Sequence, residues 1–265
     1  MPPELPEVET FVRGLAPAAG QTIASAEILD AKLEVRADEL AGARIKAVRR
    51  RGKYIGIDLA DGQTLVVHLR MSGRLRLECC EHEAKYARMI LRLDDGTSIY
   101  FVDPRRLGTA ELCERGFDVP VGIEPLDVHF TPGVLADLAS QSRAPIKQLL
   151  LDQKKVAGIG NIYAAEALWR AKLDPRRRAN ELSRAEIGRL HKAIVGVLGE
   201  AVAQLGTTLG TSVSDYHPTT TGTGSFQNHL AVYGREGELC ERCGEGIERV
   251  IQAGRSTCFC PACQQ

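Results

Sequence analysis

Nothing in these 265 residues approaches the run of about 18 apolar residues that a membrane-spanning helix needs. The start also lacks a basic segment followed by an apolar core, the pattern of a secretory leader. A cytoplasmic protein with no membrane partner is expected. There is no excess of either charge, since 34 Lys and Arg balance 34 Asp and Glu. That argues against a protein that coats nucleic acid by bulk charge, and leaves room for a local basic groove. Cysteine is not scarce, but five of the eight lie in the last 26 residues, which fits a metal site in a reducing compartment better than a disulfide framework. No coiled coil or repeat suggests assembly, so a monomer is expected.

The first ten residues are an extended leader running into a helix. Leu5, Val8, Phe11, Val12 and Leu15 recur at helical spacing. Pro6 suits a first turn, and Glu7 and Glu9 complement the positive end of the helix dipole. If Met1 is removed, Pro2 presents a secondary amine, largely neutral near pH 7 and so nucleophilic. Pro3 and Glu4 follow directly. The plainer alternative is that Pro2-Pro3 stiffens the leader.

Residues 22 to about 113 read as short strands, among them Thr22–Leu29, Tyr54–Leu59, Thr64–Leu69, Met89–Leu93 and Ser98–Val102, with turn signals between them. That pattern suggests an antiparallel sandwich or barrel. The stretch 44–54 holds six basic residues among eleven and no acid, with Gly52 marking a turn and Lys53 at its tip. It reads either as a solvated strand face or as a hairpin that carries Lys53 toward a cleft. Met71 precedes the turn Ser72-Gly73, and Arg105 sits on the loop Asp103-Pro104-Arg105-Arg106-Leu107-Gly108. Proteins that distort a duplex place an Arg and an apolar wedge on such loops.

Residues 114–130 lack clear periodicity and read as a linker. Helical pattern follows from Thr131-Pro132, an N-cap with Pro at N1. A second helix starts at Pro145 and carries Lys147. A third opens at Gly158-Ile159-Gly160-Asn161 and ends before Asp174-Pro175, and a fourth opens with the capping box Ser183-x-x-Glu186. The Gly-Ile-Gly-Asn start aims backbone N–H groups outward, a phosphate-binding arrangement that Lys147 and Arg176–Arg178 could flank. An ordinary helix–helix turn explains the same loop. Residues 206–228 hold seven Thr and four Gly but no Lys, Arg or Glu, and read as a long loop able to hydrogen-bond an uncharged planar ligand.

The sharpest local signal is Cys240-x2-Cys243-x16-Cys260-x2-Cys263. Two thiolate knuckles at this spacing make a closed tetrahedral site for one structural Zn2+, which would supply much of the folding energy of so small a hairpin. Arg255 lies on the turn between the knuckles, and Cys258 is a spare structural thiol.

Together these pieces resemble one family, the bacterial formamidopyrimidine-DNA glycosylases of the Fpg/Nei group. The matching residues are Pro-Glu-Leu-Pro-Glu-Val-Glu-Thr at 3–10, Gly52-Lys53-Tyr54, His68-Leu69-x-Met71-Ser72-Gly73 and Asp103-Pro104-Arg105-Arg106. They continue with Gly158-x-Gly160-Asn161-Ile162-Tyr163-Ala164, Val232-Tyr233-Gly234-Arg235 and the finger carrying Arg255. The resemblance implies a multi-domain α and β fold. Its parts would be an N-terminal β-sandwich with a flanking helix (1–120), a helix–two-turn–helix domain with a lesion-capping loop (131–228) and a four-cysteine zinc-finger hairpin (229–265). It implies excision of oxidised purines from double-stranded DNA bound between the halves. The damaged nucleotide is flipped out, a proline amine forms a Schiff base at C1′, and β,δ-elimination follows.

Carried over by position, Pro2 or Pro3 supplies the amine and Glu4 the acid/base carboxyl. Lys53 assists base release, Arg255 and Asn161 grip phosphate, and Met71 and Arg105 fill the void. Arg88 and Lys147 are expected DNA contacts. Two departures stand out: an extra proline makes the start Met-Pro-Pro-Glu, and Leu107 replaces the usual Phe wedge. A preference for oxidised pyrimidines, or a non-catalytic binder of damaged DNA, are the alternative readings.

Overall fold

The computed structural model describes residues 2–78, 84–114, 116 and 117, 119–208 and 224–265. Met1 and most of the Thr-rich stretch, with Asp215 and His217, lie outside the described residues. The chain divides into two compact units, Met1–Val119 with Gln204–Ser225, and Pro120–Ala203 with Phe226–Gln265.

The first unit opens with α1 (Leu5–Leu15), whose stripe of Leu5, Val8, Phe11, Val12 and Leu15 is buried as its spacing requires. Two four-stranded antiparallel sheets follow. One runs β1-β6-β7-β5, from β1 (Ile23–Ile28), β6 (Ala87–Leu93), β7 (Ser98–Val102) and β5 (Arg74–Glu78). The other runs β2-β3-β4-β8, from β2 (Ile45–Arg51), β3 (Tyr54–Leu59), β4 (Thr64–His68) and β8 (Thr109–Cys113). A single turn, α2 (Ala37–Leu40), precedes β2. Phe11 and Leu15 share one core with Ile23, Met89, Leu91, Ile99 and Phe101 of the first sheet and Ile45, Ile55, Ile57, Leu65 and Val67 of the second. This is the expected sandwich, with α1 against β2, β3 and β5. Each large apolar side chain buried here contributes about 1.5–3 kcal/mol.

The basic stretch forms β2. Arg51 pairs with Tyr54, so Gly52 and Lys53 make a two-residue turn, and Gly52 supplies the left-handed backbone (φ +58°) that such turns need. The run is not simply a solvated face. Arg49 pairs with Asp58, and Arg50 Nε donates to Glu9 Oε2 of α1 at 3.0 Å.

The second unit holds α3 (Pro132–Ser140), α4 (Ile146–Leu151), α5 (Asn161–Ala171) and α6 (Arg184–Ala203), followed by the hairpin β9 (Glu248–Gln252) and β10 (Arg255–Phe259). Thr131 Oγ1 accepts the Val134 N–H at 3.3 Å, and Glu186 accepts the Ser183 N–H at 2.8 Å, as the capping signals predict. The segment read as a linker is partly built into this unit. Ile123 bridges Val156, Phe130 is buried, and a β-carbon at Gly122 would lie 2.2 Å from the Lys155 carbonyl oxygen.

The boundary at the Thr-rich stretch also differs from the sequence expectation, since Gln204–Ser225 groups with the first unit. Among the described residues Glu7 ties this stretch to α1, because its Oε1 accepts the Thr207 N–H at 2.8 Å. Gly206, at φ +78°, has room there only because it lacks a side chain; a β-carbon would meet Glu7 Oε1 at 2.7 Å.

Gly122→Ala should lower the unfolding free energy by about 1–3 kcal/mol through overpacking. Urea denaturation checks this, and an unchanged midpoint would show that the 153–155 loop simply moves aside.

Candidate functional site

In the first unit, Glu4 caps α1 and is only 1% exposed. Its N–H donates to Glu7 Oε2 at 2.8 Å, so Glu7 holds both the start of α1 and the root of the Thr-rich stretch. Pro3 is buried and Pro2 half-buried. Arg50 connects this helix to the β2–β3 turn, since besides Glu9 it donates from Nη1 to the Gly52 carbonyl at 3.2 Å. That bridge fixes the half-buried Lys53 relative to α1. The sequence places Glu7 at the positive end of the helix dipole and Arg50 within the basic stretch, but not their partners; the capping-box spacing Glu4-x-x-Glu7 is the signal for the first.

His68 ends β4 beside the Met71 turn and stacks edge-on to Tyr54, with ring centroids 4.5 Å apart. Burial, helped by the charges of Arg70 and Lys53, holds its pKa down to about 4. The Arg70 N–H donates to Nδ1 at 3.0 Å, which suits the neutral ring.

Met71 is half-buried, and Arg105 and Leu107 are exposed on the 103–108 loop. Their loops meet at Asp103, itself 1% exposed. Asp103 Oδ1 accepts the Ser72 hydroxyl and, at 3.2 Å, the Arg105 N–H. Its Oδ2 accepts the N–H groups of Leu107 and Gly108, each at 2.7 Å. Arg88 is not the surface DNA contact expected from the sequence. It is 2% exposed, and its Nε donates to Asp30 Oδ2 at 2.6 Å. Its Nη1 donates to the Gly108 carbonyl at 2.6 Å and to Asp103 Oδ2 at 3.3 Å. A guanidinium buried between two carboxylates compensates their charge and lies away from the surface. The Arg106 guanidinium, also on Asp30, holds that carboxyl well below the usual carboxylate range.

In the second unit, Asn161 opens α5 and its Nδ2 donates to the Ser256 carbonyl at 2.9 Å. Lys147 reaches the same carbonyl at 3.2 Å and the Thr257 hydroxyl at 2.7 Å. At 1% exposure, Lys147 is an internal clamp on β10, not the open ammonium expected. The Gly158–Asn161 loop is tied back by Gln153, whose side chain accepts the Gly158 N–H at 2.9 Å and donates to the Ile159 carbonyl at 2.7 Å. The run 176–178 is likewise engaged locally. Arg176 pairs with Asp174 and stacks on Phe259, and Arg177 pairs with Glu186. Arg255 stays exposed, at the start of β10 just after the left-handed pair Ala253-Gly254.

The four sulfurs of Cys240, Cys243, Cys260 and Cys263 lie within 4.8 Å of one another. Cys240 and Cys263 sulfurs are 4.0 Å apart, and those of Cys243 and Cys260 3.5 Å. A tetrahedron with Zn–S near 2.3 Å has edges of about 3.8 Å, so the donor set fits one zinc ion. Trp169 of α5, the chain's single tryptophan, packs beside this cluster under the Arg242 guanidinium, 3.9 Å from the ring centroid. Among the described residues, no helix is long and apolar enough to cross a membrane.

An N-terminal helix on a β-sandwich, a helical unit whose asparagine meets a finger, and a four-thiolate hairpin are together the parts of the class of zinc-finger DNA glycosylases. Three family models agree. Residues 1–110 match the formamidopyrimidine-DNA glycosylase N-terminal domain, residues 121–213 its H2TH domain, and residues 237–265 the zinc finger found in FPG and IleRS. The formamidopyrimidine-DNA glycosylase of Chloroflexus aurantiacus is 44% identical over 99% of this chain and 97% of its own length. That of Paracoccus denitrificans is 42% identical over 99% of this chain and 100% of its own. The crystal structure of the MutM (Fpg) protein from Thermus thermophilus superposes with a TM-score of 0.89 at 42% identity, covering 99% of this chain and 98% of that one. A Lactococcus lactis Fpg complex with abasic-site DNA gives a TM-score of 0.88 at 36% identity, covering 99% of each chain. The chain belongs to the formamidopyrimidine-DNA glycosylase family.

Because native His68 has the lower pKa, the folded state binds fewer protons than the unfolded one between about pH 4 and 6.5. This contribution is complete above pH 6.5 and is lost as pH falls toward 4. His68→Asn should flatten that part of the urea-unfolding profile, and an unchanged slope would reject the assignment. Chelation of zinc should unfold the finger and change the emission of Trp169 in step with loss of finger structure. Emission that stays constant while zinc is removed would separate Trp169 from the metal site.

Proposed function

We propose that the protein is a base-excision-repair enzyme that removes oxidised purines, 8-oxoguanine and formamidopyrimidines, from duplex DNA and then cleaves the abasic strand. It acts as a monomer in the cytoplasm, at the nucleoid. Glu4 carries this reading: a carboxyl buried at the head of α1, two residues from Pro2, with its backbone fixed by Glu7. Family membership supports the substrate class. The relatives are named formamidopyrimidine-DNA glycosylases, and a Lactococcus lactis neighbour holds DNA containing Fapy-dG.

In this mechanism the terminal proline amine, exposed by loss of Met1, attacks C1′ of the flipped nucleotide. The N–C1′ bond forms as the bond to the base breaks, and the base leaves with a proton. Opening of the sugar requires a proton on its ring oxygen, and Glu4 is the carboxyl beside the amine that can deliver it. The resulting iminium acidifies the 2′ proton. Removal of that proton expels the 3′ phosphate, and a second elimination expels the 5′ phosphate. Lys53, held by the Arg50-supported turn, assists base release. Arg255 and Asn161 hold backbone phosphate, and Met71 and Arg105 occupy the space the base leaves. Zinc supplies no chemistry to the reaction; it folds the hairpin that carries Arg255.

The extra proline sets Pro2 one residue, up to about 3.5 Å of chain, further from Glu4 than a Met-Pro-Glu start would. Borohydride should trap protein on an 8-oxoguanine duplex, with the adduct mapping to the terminal proline. Absence of an adduct from protein whose intact mass shows Met1 removed would favour a non-catalytic damage binder. Faster excision of thymine glycol than of 8-oxoguanine would instead favour oxidised pyrimidines. Glu4→Gln should keep duplex binding and slow trapping by about 100-fold or more.

A further inference from the structure

The loops carrying Met71 and Arg105 come from different parts of the sandwich. One joins β4 to β5, and the other joins β7 to β8. Each could in principle move by itself. Yet Ser72 and Arg105 share a single acceptor, Oδ1 of Asp103. The other oxygen of that carboxylate fixes the far side of the second loop through the N–H groups of Leu107 and Gly108. Arg88 braces the assembly by donating to Asp103, to the Gly108 carbonyl and to Asp30, while Arg106, at φ +53°, also donates to Asp30. No added side chain would fit at Gly108, where a β-carbon would stand 2.7 Å from the Phe101 ring, or at Gly73, where it would stand 2.5 Å from the Leu69 carbonyl. Both loops are therefore packed hard against the sandwich at their ends and joined at one buried oxygen.

We propose that Asp103 is a positioning residue for the excision reaction, whose Oδ1 yokes the Ser72 hydroxyl to the Arg105 backbone so that Met71 and Arg105 enter the duplex as one unit. This rests on the void-filling reading of those two side chains. Asp103 touches no DNA in this role. It makes insertion of either side chain depend on the other, so a site that admits only one of them gains little from it. A carboxylate suits the task because it accepts from several N–H and O–H donors at once, and because hydrogen bonds to a charged acceptor hold geometry more firmly than neutral ones. The Ser72 link is the part that a purely fold-stabilising aspartate would not need, since the Arg105 loop already has its own three N–H bonds to Asp103.

The test is a double-mutant cycle on full-length, zinc-loaded protein. The probe is a duplex bearing a tetrahydrofuran abasic-site analogue opposite 2-aminopurine, read by affinity and by 2-aminopurine fluorescence. Met71→Ala and Arg105→Ala should each weaken binding on the order of tenfold, and the double variant should fall about tenfold short of the product of the two losses. In a Ser72→Ala background, which removes only the yoke, the two losses should multiply. Ser72→Cys serves in its place if Ser72→Ala shifts the urea midpoint. Losses that multiply in the otherwise unaltered protein, or a shortfall that persists unchanged without the Ser72 hydroxyl, would overturn the proposal. If neither Met71→Ala nor Arg105→Ala changes affinity or fluorescence, the void-filling reading itself fails, an outcome distinct from loss of coupling alone.

Discussion

A charge taken out of water has to be answered by other charges and by hydrogen bonds, and in the first unit that demand falls on Asp103 and Asp30. Both are almost fully buried, and Arg88 sits between them as the compensating cation. Removing one partner from such a set costs several kcal/mol, because the others remain buried without compensation. The arrangement therefore holds as a whole or not at all. What it holds is irregular backbone, the 103–108 loop and the Met71 turn, which lack the ladder of bonds that fixes a strand. A rigid rim built from loops thus depends on a buried ionic cluster inside the sandwich.

The second unit solves a similar problem with neutral backbone. The Ser256 carbonyl takes donors from Asn161 at the head of α5 and from Lys147 on α4. Helix start, neighbouring helix and finger hairpin converge on the residue next to Arg255. The four thiolates close the hairpin from its other end, and Trp169 and Ala165 of α5 pack against them. Metal and helix therefore fix opposite ends of one short β-ladder.

Much of this was legible in the order of residues because the signals are local. Two Cys-x2-Cys knuckles, the 3–4 spacing of the α1 stripe and the Ser183-x-x-Glu186 cap each need only a few neighbouring positions. The strands from Tyr54 to Val102 announced themselves by β-branched runs between turn residues. What a sequence does not carry is the partner of a charge. Arg88 finds Asp30 58 residues away, and Lys147 finds Ser256 109 residues away. Either side chain would serve equally well on a surface, and only long-range packing turns it inward. The same holds for Ser72, an unremarkable turn serine until the fold brings Asp103 beneath it. The grouping of Gln204–Ser225 with the first unit was hidden for a related reason, because among the described residues one of its ties is the Glu7 carboxylate, 200 residues from Thr207.

The neutral net charge acquires a meaning from these pairings. Arg49, Arg50, Arg88, Arg176 and Arg177 are all committed to carboxylates of their own unit, while Arg105 and Arg255 stand exposed. Lys46, Arg70, Lys154 and Lys172 are exposed as well, and each such cation that meets a phosphate releases a counterion, so the salt dependence of duplex affinity counts the contacts these open cations make.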